Sequence, residues 1–216
     1  MGDSMDTILY LVRHGETEGA EVRRYKGSID VPLSHKGGKQ IERVSALILK
    51  DMQKRSSPSP PRLLKAVYCS DLQRAVKSAE IIAKTCALDP VVVPSLRERN
   101  FGIWEGMSFD EIRKQYPREF DAWAGNPLQF SPMQGESTIT MKERVIGAFE
   151  KIIGNHKGDS IAIVSHGGVN RIVLCHALGM SLENIFRVEQ DYAALNILEF
   201  WDRYPVVKLM NGTVDV

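Results

Sequence analysis

The stretch Ile8-Leu9-Tyr10-Leu11-Val12-Arg13-His14-Gly15-Glu16-Thr17 decides the fold, because an apolar run leads directly into an arginine, a histidine and a glycine. The apolar run predicts a buried strand. Gly15 allows a tight turn whose backbone amides can approach an anion, and Arg13 can clamp phosphate oxygens. α/β enzymes place their chemistry at this end of a strand. Taken alone the tripeptide is common, so a turn carrying a solvated His14 is an equal alternative.

A second strand end of the same kind lies far downstream. Residues 161–164 are apolar and run into Ser165-His166-Gly167-Gly168, and residues 169–178 then have the pattern of an apolar helix. Parallel strands that end at one edge of a sheet bring distant residues together. We therefore expect His14 and His166 to face one site. The alternative for His166 is a core histidine with satisfied hydrogen bonds.

Two further strands end near charged residues that suit phosphate chemistry. Residues 66–69 precede Arg74 at the start of a helical pattern over 75–83, where free helix amides and a guanidinium both attract anions. Residues 91–93 form a fourth strand, and Glu98 follows its end. As structural alternatives, each side chain could form an ion pair: Arg74 with Asp71 or Glu80, and Glu98 with Arg97 or Arg99. Four strand ends that each supply such a group favour catalysis over coincidence.

Five segments, in order over most of residues 7 to 180, resemble the histidine phosphatases of the phosphoglycerate mutase-like superfamily. The segments are Arg13-His14-Gly15-Glu16-Thr17, residues 70–79, residues 96–106, Gly135-Glu136-Ser137 and Ser165-His166-Gly167-Gly168. Each is weak singly, but five in register are specific. The resemblance implies an α/β fold, a three-layer α/β/α sandwich with a mostly parallel central sheet. It also implies a single domain over residues 1–216 with a small helical insertion, or lid, at about 105–135.

The same resemblance implies a role for each candidate residue. His14 attacks phosphorus and carries a phosphohistidine, while Glu98 moves the proton. Arg13, Arg74 and His166 complete the catalytic set by holding the phosphoryl oxygens. The expected substrate-binding residues are Arg13, Thr17, Arg24, Gly27, Arg74, Glu98, His166 and Gly167. Two guanidiniums neutralise a phosphomonoester dianion without a metal ion or other cofactor, and their positive field disfavours protonation of His14.

The chemistry sets opposite requirements for His14 and Glu98. One ring nitrogen of His14 should donate to a nearby carbonyl, which fixes the tautomer and leaves the other nitrogen as a neutral nucleophile. His166 should donate to an equatorial oxygen as charge develops in the transition state. Glu98 must be protonated to give its proton to the leaving alkoxide, and burial beside a phosphate dianion favours that form. In the second half-reaction the same carboxylate would activate water.

The chain departs from the family pattern at Ala20, where the family usually has an asparagine that contacts phosphate. Removing one preorganised donor can lower the rate by about 10²-fold. Arg23, Arg24 or Lys26 could supply a compensating cation, and we expect Arg24 to enter the site. Two milder changes are Ser78 in place of threonine and Lys26 in place of glutamine, the latter expected to affect substrate preference.

Within the family, residues 101–112 and 132–137 resemble the phosphatase branch that includes α-ribazole-5′-phosphate phosphatases. The dedicated mutases carry a longer, more basic insertion, because a mutase must bind a second phosphate and keep water from the phosphohistidine. The expected function is metal-independent hydrolysis of a small phosphorylated metabolite, with α-ribazole 5′-phosphate as a candidate. A phosphoglycerate-type phosphomutase is the second possibility. A catalytically silent phosphoester-binding protein is the third, and the presence of His14, Glu98 and His166 disfavours it.

Five large residues recur at near-helical spacing within the insertion: Phe109, Ile112, Tyr116, Phe120 and Trp123. We expect them to pack the insertion onto the sheet. The alternative is a lid or an aromatic contact with substrate.

The remaining elements follow from local patterns. Ser34 is a candidate N-cap for a helix over 35–51, a Ser/Pro-rich surface loop occupies residues 56–61, and another helix is predicted over 138–155. Two final strands are predicted over 192–201 and 206–210. An edge strand there could pair with a second chain, so a homodimer is an open possibility.

Composition indicates one compact domain of 216 residues, since 43% of residues are hydrophobic, 25% are charged and the net charge is +1. The nearly balanced charge lacks the excess of basic residues that is typical of nucleic-acid-binding proteins, so the expected partner is a small phosphomonoester. The sequence has no run of roughly 20 apolar residues and no signal pattern, so we expect no membrane partner and a cytoplasmic location. Cys69, Cys86 and Cys175 are expected to be reduced core thiols.

Overall fold

The computed structural model describes residues 6–22, 24–56, 63–201 and 204–213. Its sheet is built from β1 (Thr7–Arg13), β2 (Ala66–Cys69), β3 (Val91–Val92), β4 (Ser160–Ser165), β5 (Leu195–Phe200) and β6 (Pro205–Gly212). The order across the sheet is β3-β2-β4-β1-β5-β6. The first four of these run parallel, β5 is antiparallel to β1, and β6 is antiparallel to β5. The sheet is therefore mostly parallel, as predicted.

Helices cover both faces of this sheet. The α-helices are α1 (His35–Ser56), α2 (Gln73–Lys84), α3 (Phe109–Gln115), α4 (Pro117–Gly125), α5 (Thr138–Asn155) and α6 (Gly167–Ala177), with 3₁₀-helices at Pro94–Leu96, Gly102–Trp104 and Leu182–Arg187. Side chains of β1 alternate between two cores: Ile8, Tyr10 and Val12 pack with α1 and α2, whereas Leu9 and Leu11 pack with α5 and α6. The prediction of a three-layer α/β/α sandwich is confirmed.

The parallel strands end at one edge of the sheet, where they release the candidate residues. All of β4 is buried, which is typical of a strand covered on both faces. β1 and β4 pair in a register that sets Arg13 beside Ser165. The next residues along these strands are His14 and His166, and β2 ends one residue before Ser70 at the same edge. Strand register alone thus brings the two histidines together.

The first helix begins where predicted and ends later. Ser34 Oγ accepts a hydrogen bond from the Gly37 N–H at 3.0 Å, which confirms the predicted N-cap. The helix continues past residue 51 to Ser56, because Met52 and Ser56 still face the core. The rest of the predicted Ser/Pro-rich loop, residues 57–61, lies outside the described residues. The predicted helix over 138–155 matches α5.

The last two strands differ from their predicted bounds. Ala193 has a φ of 55°, which a strand cannot accommodate, so β5 begins only at Leu195. β6 runs to Gly212 and forms the sheet edge, with Leu209 and Met210 exposed.

Two glycines allow the turn after His14 to cross the start of α1. A Cβ on Gly15 would lie 2.4 Å from the Gly37 carbonyl oxygen, and a Cβ on Gly37 would lie 2.1 Å from the Glu16 carbonyl oxygen. Neither approach is possible with a side chain present. The Arg-His-Gly turn is therefore fixed against the helix by backbone contact.

The insertion forms two short helices, α3 and α4, whose aromatic residues pack mainly on one another. Phe109 and Phe120 lie 4.8 Å apart between ring centroids, and Phe120 and Trp123 lie 5.6 Å apart. Trp123 in turn meets the edge of Trp104 at 6.4 Å. The aromatic residues of the insertion thus form a cluster with one another and with Trp104, in place of the expected packing onto the sheet.

Cys69, Cys86 and Cys175 are all free thiols, as expected, although Cys86 is only partly buried. Burial raises the pKa of the Cys69 thiol to about 12 and also raises the pKa of Cys175. Among the described residues, no helix is both long and apolar enough to cross a bilayer.

Candidate active site

A cavity of about 200 Å³ opens at the carboxyl edge of the parallel strands. All of the predicted site residues line it: Arg13, His14, Thr17, Arg24, Gly27, Arg74, Glu98, His166 and Gly167. These residues come from the ends of β1 and β4, the segment between β1 and α1, the start of α2 after β2, the start of α6, and the segment after β3. The structure thus brings together four strand ends that are far apart in sequence.

His14 has the geometry of a neutral nucleophile. Its side chain is 95% buried, and Nδ1 lies 2.7 Å from the Gly15 carbonyl oxygen. A carbonyl only accepts hydrogen bonds, so Nδ1 carries the proton and the Nε2 lone pair is free. Burial, followed by the charges of Arg13 and Arg74, holds the pKa of His14 well below its usual range. The imidazole is therefore neutral at neutral pH.

Arg13 has a donor that is free for a ligand. Its Nη1 donates to the Gln190 carbonyl oxygen at 2.6 Å, and the guanidinium lies 4.0 Å from the centroid of the Tyr192 ring. Its Nε is buried and has no hydrogen-bond partner among the described residues. A buried donor without a partner costs about 1–3 kcal/mol, so this position favours an anionic ligand.

Arg74 is buried, and its guanidinium is hydrogen-bonded to backbone carbonyls and not to a carboxylate. It is 2% exposed and donates to the carbonyl oxygens of Gly27 and Ile29, each at 2.7 Å. The alternative ion pairs do not form, because Asp71 pairs with Arg97 at 2.6 Å and Glu80 pairs with Lys77 at 2.8 Å. The positive charge of Arg74 is therefore available to a ligand.

His166 faces the same cavity from the N-cap of α6. Its ring centroid lies 5.1 Å from that of His14, and its Nε2 lies 2.7 Å from Ser70 Oγ. Its Nδ1 is buried with no partner in the described part of the chain, so it is not a satisfied core histidine. Burial and the neighbouring His14 and arginines lower the pKa of His166. A neutral ring with its proton on Nδ1 can donate to an oxygen in the cavity.

Glu98 lines the same cavity as the histidines and forms no ion pair with its neighbouring arginines. Its Oε1 accepts from the Arg99 N–H at 2.9 Å, and its Oε2 accepts from the Gly168 N–H at 3.0 Å. A Cβ on Gly168 would lie 2.4 Å from Oε1, so the carboxyl group can take this position only beside a glycine. The guanidinium of Arg97 is paired with Asp71, and that of Arg99 binds other groups.

Arg144, which the sequence did not single out, and Glu136 of the Gly-Glu-Ser motif fix the segment around Glu98. Arg144 donates to the carbonyl oxygens of Ser95 and Arg97 at 2.8 Å and of Glu98 at 3.1 Å. It also binds the Glu136 carboxylate at 2.5 and 2.9 Å. The Gly-Glu-Ser motif therefore positions Glu98 through Arg144, and no local pattern indicates this pairing.

A buried polar network that the sequence did not indicate lies behind Arg13. Asn170 Nδ2 donates to Gln190 Oε1 at 3.0 Å, and Gln190 Nε2 donates to Asn196 Oδ1 at 2.9 Å. Asn196 Nδ2 donates to the Leu11 carbonyl oxygen at 3.0 Å. The network fixes Gln190, whose own carbonyl holds Arg13.

Arg24 was expected to replace the asparagine that the family has at the position of Ala20, and the structure agrees only in part. Arg24 lines the cavity, but its guanidinium binds the Glu111 carboxylate of α3 at 2.5 and 3.0 Å. Lys26 also lines the cavity, and its Nζ donates to Thr17 Oγ1 at 2.7 Å. The charge of Lys26 contributes to the low pKa of His14. Of the candidate replacements, Lys26 therefore adds to the effect of Arg13 and Arg74 on His14, whereas Arg24 is bound to Glu111. Arg23 lies outside the described residues.

The assembled cavity suits a phosphoryl dianion. Arg13, Arg74 and Lys26 surround His14, while the one carboxyl group at the cavity among the described residues belongs to Glu98. In the described ranges, no three His, Cys, Asp or Glu side chains are grouped so as to hold a metal ion. The charge that such a dianion needs is supplied by two guanidiniums and an ammonium.

Comparison with known proteins places these residues in context. Residues 9–213 match the profile described as the histidine phosphatase superfamily, branch 1. Phosphoserine phosphatase 1 of Hydrogenobacter thermophilus is 29% identical over 205 residues, covering 95% of this chain and 92% of that protein. The metal-independent phosphoserine phosphatase of Arabidopsis thaliana is 36% identical over 174 residues, covering 79% and 68% respectively.

The fold is also similar to that of a solved structure. The crystal structure of the α-ribazole phosphatase from Shigella flexneri superposes with a TM-score of 0.83, at 24% identity, over 97% of this chain and 98% of that one. At this identity the likeness concerns the fold.

Proposed function

This chain belongs to the histidine phosphatase superfamily, branch 1, and we propose that it hydrolyses phosphomonoesters through a phosphohistidine formed on His14. Its activity class is that of a phosphatase acting on phosphomonoesters, as the family and the names of its relatives establish. The observation that carries the proposed route is the buried His14, with Nδ1 tied to a carbonyl and Nε2 free inside a cluster of cations.

In the first step, the Nε2 lone pair of His14 attacks phosphorus and the bond from phosphorus to the ester oxygen breaks. Glu98 donates its proton to the departing alkoxide, which leaves as an alcohol. Arg13 Nε, the Arg74 guanidinium and His166 Nδ1 donate to the equatorial oxygens, where negative charge is concentrated in the transition state. The free donors on Arg13 and His166 support these assignments.

In the second step, water attacks the phosphohistidine. The Glu98 carboxylate, now deprotonated, takes a proton from this water as the new bond to phosphorus forms and the bond to Nε2 breaks. Phosphate leaves, His14 returns to its neutral form and Glu98 is again protonated. No metal ion or other cofactor takes part in the proposed route, because Arg13, Arg74 and Lys26 supply the positive charge.

The names of relatives give two candidate substrates, O-phosphoserine and α-ribazole 5′-phosphate. The proposal places the enzyme in the cytoplasm, acting on a small phosphomonoester, with no nucleic-acid or membrane partner; the net charge of +1 and the free thiols support it. Pairing through the exposed edge strand β6 would give a homodimer. Light scattering in solution measures this directly.

The test is phosphate release from O-phosphoserine, α-ribazole 5′-phosphate, 3-phosphoglycerate and an aryl phosphate, with and without EDTA. Release that survives EDTA and is lost in His14→Ala, but not in His35→Ala on the exposed face of α1, supports the proposal. Rapid quenching should trap an acid-labile phosphate on His14. A requirement for a bisphosphate primer with little phosphate release indicates a mutase instead. Binding of phosphoesters without turnover indicates a silent binding protein.

A further inference from the structure

A second cavity, of about 270 Å³, adjoins the catalytic cavity on the side of Glu98. The two cavities share Tyr25, Glu98, Phe101, Gly168 and Arg171 in their walls. They are therefore two parts of one site that meet at the proposed proton donor. The wall of the catalytic part contains five cationic side chains, whereas the wall of the second part is mostly aromatic and apolar.

The second cavity has an aromatic and apolar wall. Its side chains include Trp104, Trp123, Met141, Ile185 and Phe186. Trp104 is 3% exposed and stacks on Phe130 at 5.3 Å between ring centroids. A wall of this kind binds flat apolar groups well, because aromatic rings pack in offset or edge arrangements against one another.

Two guanidiniums line this wall, and both are already bound to protein groups. Arg171 donates to the Val188 carbonyl oxygen at 2.6 Å and pairs with Glu189 at 3.3 Å. Arg99 is 6% exposed and donates to the carbonyl oxygens of Glu136 and Phe130 and to Thr138 Oγ1, at 2.8 to 3.1 Å. Its charge is therefore held within the wall. Burial lowers the pKa of this arginine. The cavity thus offers apolar surface to a ligand more than it offers charge.

The position of Glu98 determines which part of a substrate reaches this cavity. The phosphoryl group occupies the cationic part, and the ester oxygen must lie near the Glu98 carboxyl to receive its proton. The alcohol portion therefore starts at the junction of the two cavities. We propose that the substrate of this enzyme is a phosphomonoester of an aromatic alcohol, and that its ring occupies the second cavity.

This inference rests on the proposed phosphatase route, since it assigns the leaving group of that reaction. It also distinguishes the chain from its relatives that are named for phosphoserine. The serine portion is small and zwitterionic, so it would leave most of an aromatic cavity of about 270 Å³ unfilled. An aromatic ring would fill it and release water from apolar surface.

An unpaired hydrogen-bond donor on a residue of this wall bears on the chemistry of the substrate's aromatic ring. Trp104 Nε1 is buried and has no hydrogen-bond partner among the described residues. A buried indole N–H normally has a partner, and its absence is costly. We extend the proposal to a hydrogen-bond acceptor on that ring, such as a ring nitrogen, which would accept from the Trp104 N–H.

The test compares ethyl phosphate with 2-(1-naphthyl)ethyl phosphate on the intact enzyme. Both release a primary alcohol, so the chemical step is matched and the difference measures binding of the ring. We expect kcat/KM to be about 100-fold higher for the naphthyl compound. Calorimetry with His14→Ala measures the binding of both compounds without turnover and should give a similar preference.

Variants locate the ring. Phe186 is 59% exposed on the cavity wall, so Phe186→Asp introduces a charge there with little risk to folding, and the naphthyl preference should fall at least 10-fold. Trp201→Asp, at a similarly exposed aromatic residue away from the cavity, is the matched control and should keep the preference. Trp104→Phe removes the N–H but keeps a ring. It should abolish any preference for 2-(quinolinyl)ethyl phosphates over the naphthyl compound.

The outcomes separate this inference from the phosphatase route. Hydrolysis of both compounds at similar kcat/KM overturns the aromatic assignment and leaves the route intact. Tighter binding of the naphthyl compound to His14→Ala, with no hydrolysis by the unmodified enzyme, supports the ring site and overturns the route. Absence of both binding and hydrolysis overturns both. A quinoline preference that survives in Trp104→Phe overturns the role of the indole N–H.

Discussion

Lowering the pH should destabilise this protein through its two active-site histidines. His14 is 5% exposed and His166 is fully buried, and both lie beside Arg13 and Arg74. Burial, aided by these charges, holds the pKa of each histidine well below its usual range in the folded protein. In the unfolded chain a histidine takes up its proton near pH 6.5. Below that pH the unfolded state binds more protons than the folded state.

The sign and size of the effect follow from proton linkage. Because the folded-state pKa values are depressed, stability is fully present above about pH 6.5 and falls as pH decreases below it. Each histidine that stays neutral in the folded state costs about 1.4 kcal/mol at pH 5.5 relative to pH 7.5. The two together cost about 2.8 kcal/mol. A domain of this kind has roughly 5–15 kcal/mol in total, so the loss is large.

The assay is urea unfolding at pH 7.5 and pH 5.5 in buffer free of phosphate, because a bound anion would stabilise the folded state by mass action. The double variant His14→Asn/His166→Asn should lose about 2.8 kcal/mol less than the unmodified protein between the two pH values. All other titrating groups are common to both proteins and cancel in this difference. His35→Asn, on the exposed face of α1, is the control for loss of a histidine elsewhere. An equal loss of stability in the double variant and the unmodified protein would refute the reasoning.

Three further predictions concern the groups around the nucleophile. Glu98→Gln should slow the first-turnover release of an alkyl alcohol from its phosphate ester by about 10²-fold or more. The release of p-nitrophenol from its phosphate ester should be affected much less, because that leaving group needs no proton; quenched flow measures both rates. Arg144→Met leaves the Glu136 carboxylate and three carbonyls without their donor, so urea unfolding should show a loss of about 2–3 kcal/mol. Asn196→Leu removes a buried partner of Gln190, so urea unfolding should show a loss of about 1–3 kcal/mol in the free energy of unfolding.

Features that depend on local sequence could be predicted, and α5 is the clearest case. Ser137 caps the helix by accepting from the Thr140 N–H, and the apolar period then continues to residue 155, so both bounds follow from the residues themselves. The two histidine-bearing turns were found in the same way, since an apolar run followed by glycine is a local pattern. Their meeting at one cavity then followed from the general rule for parallel strands.

Features that depend on the identity of a distant partner could not be predicted. The partner of Arg24 is Glu111, in the insertion, and no pattern near Arg24 indicates that its charge is already bound. The contact of Arg144 with the Glu98 segment joins residues almost 50 positions apart. Such pairs arise only once the chain is folded. Candidates for charge at the site can therefore be named from the sequence, but their partners cannot.

Unpaired buried polar groups are found at both cavities of the site. In the described part of the chain, four buried side-chain polar atoms have no partner, and those of Arg13, His166 and Trp104 belong to residues that line the cavities. A protein rarely leaves a buried donor unpaired, because each costs about 1–3 kcal/mol. A ligand that carries phosphoryl oxygens at one end and an acceptor on a ring at the other satisfies all three donors at once. The same unpaired donors therefore explain why both parts of the site should be most stable when a single substrate fills them.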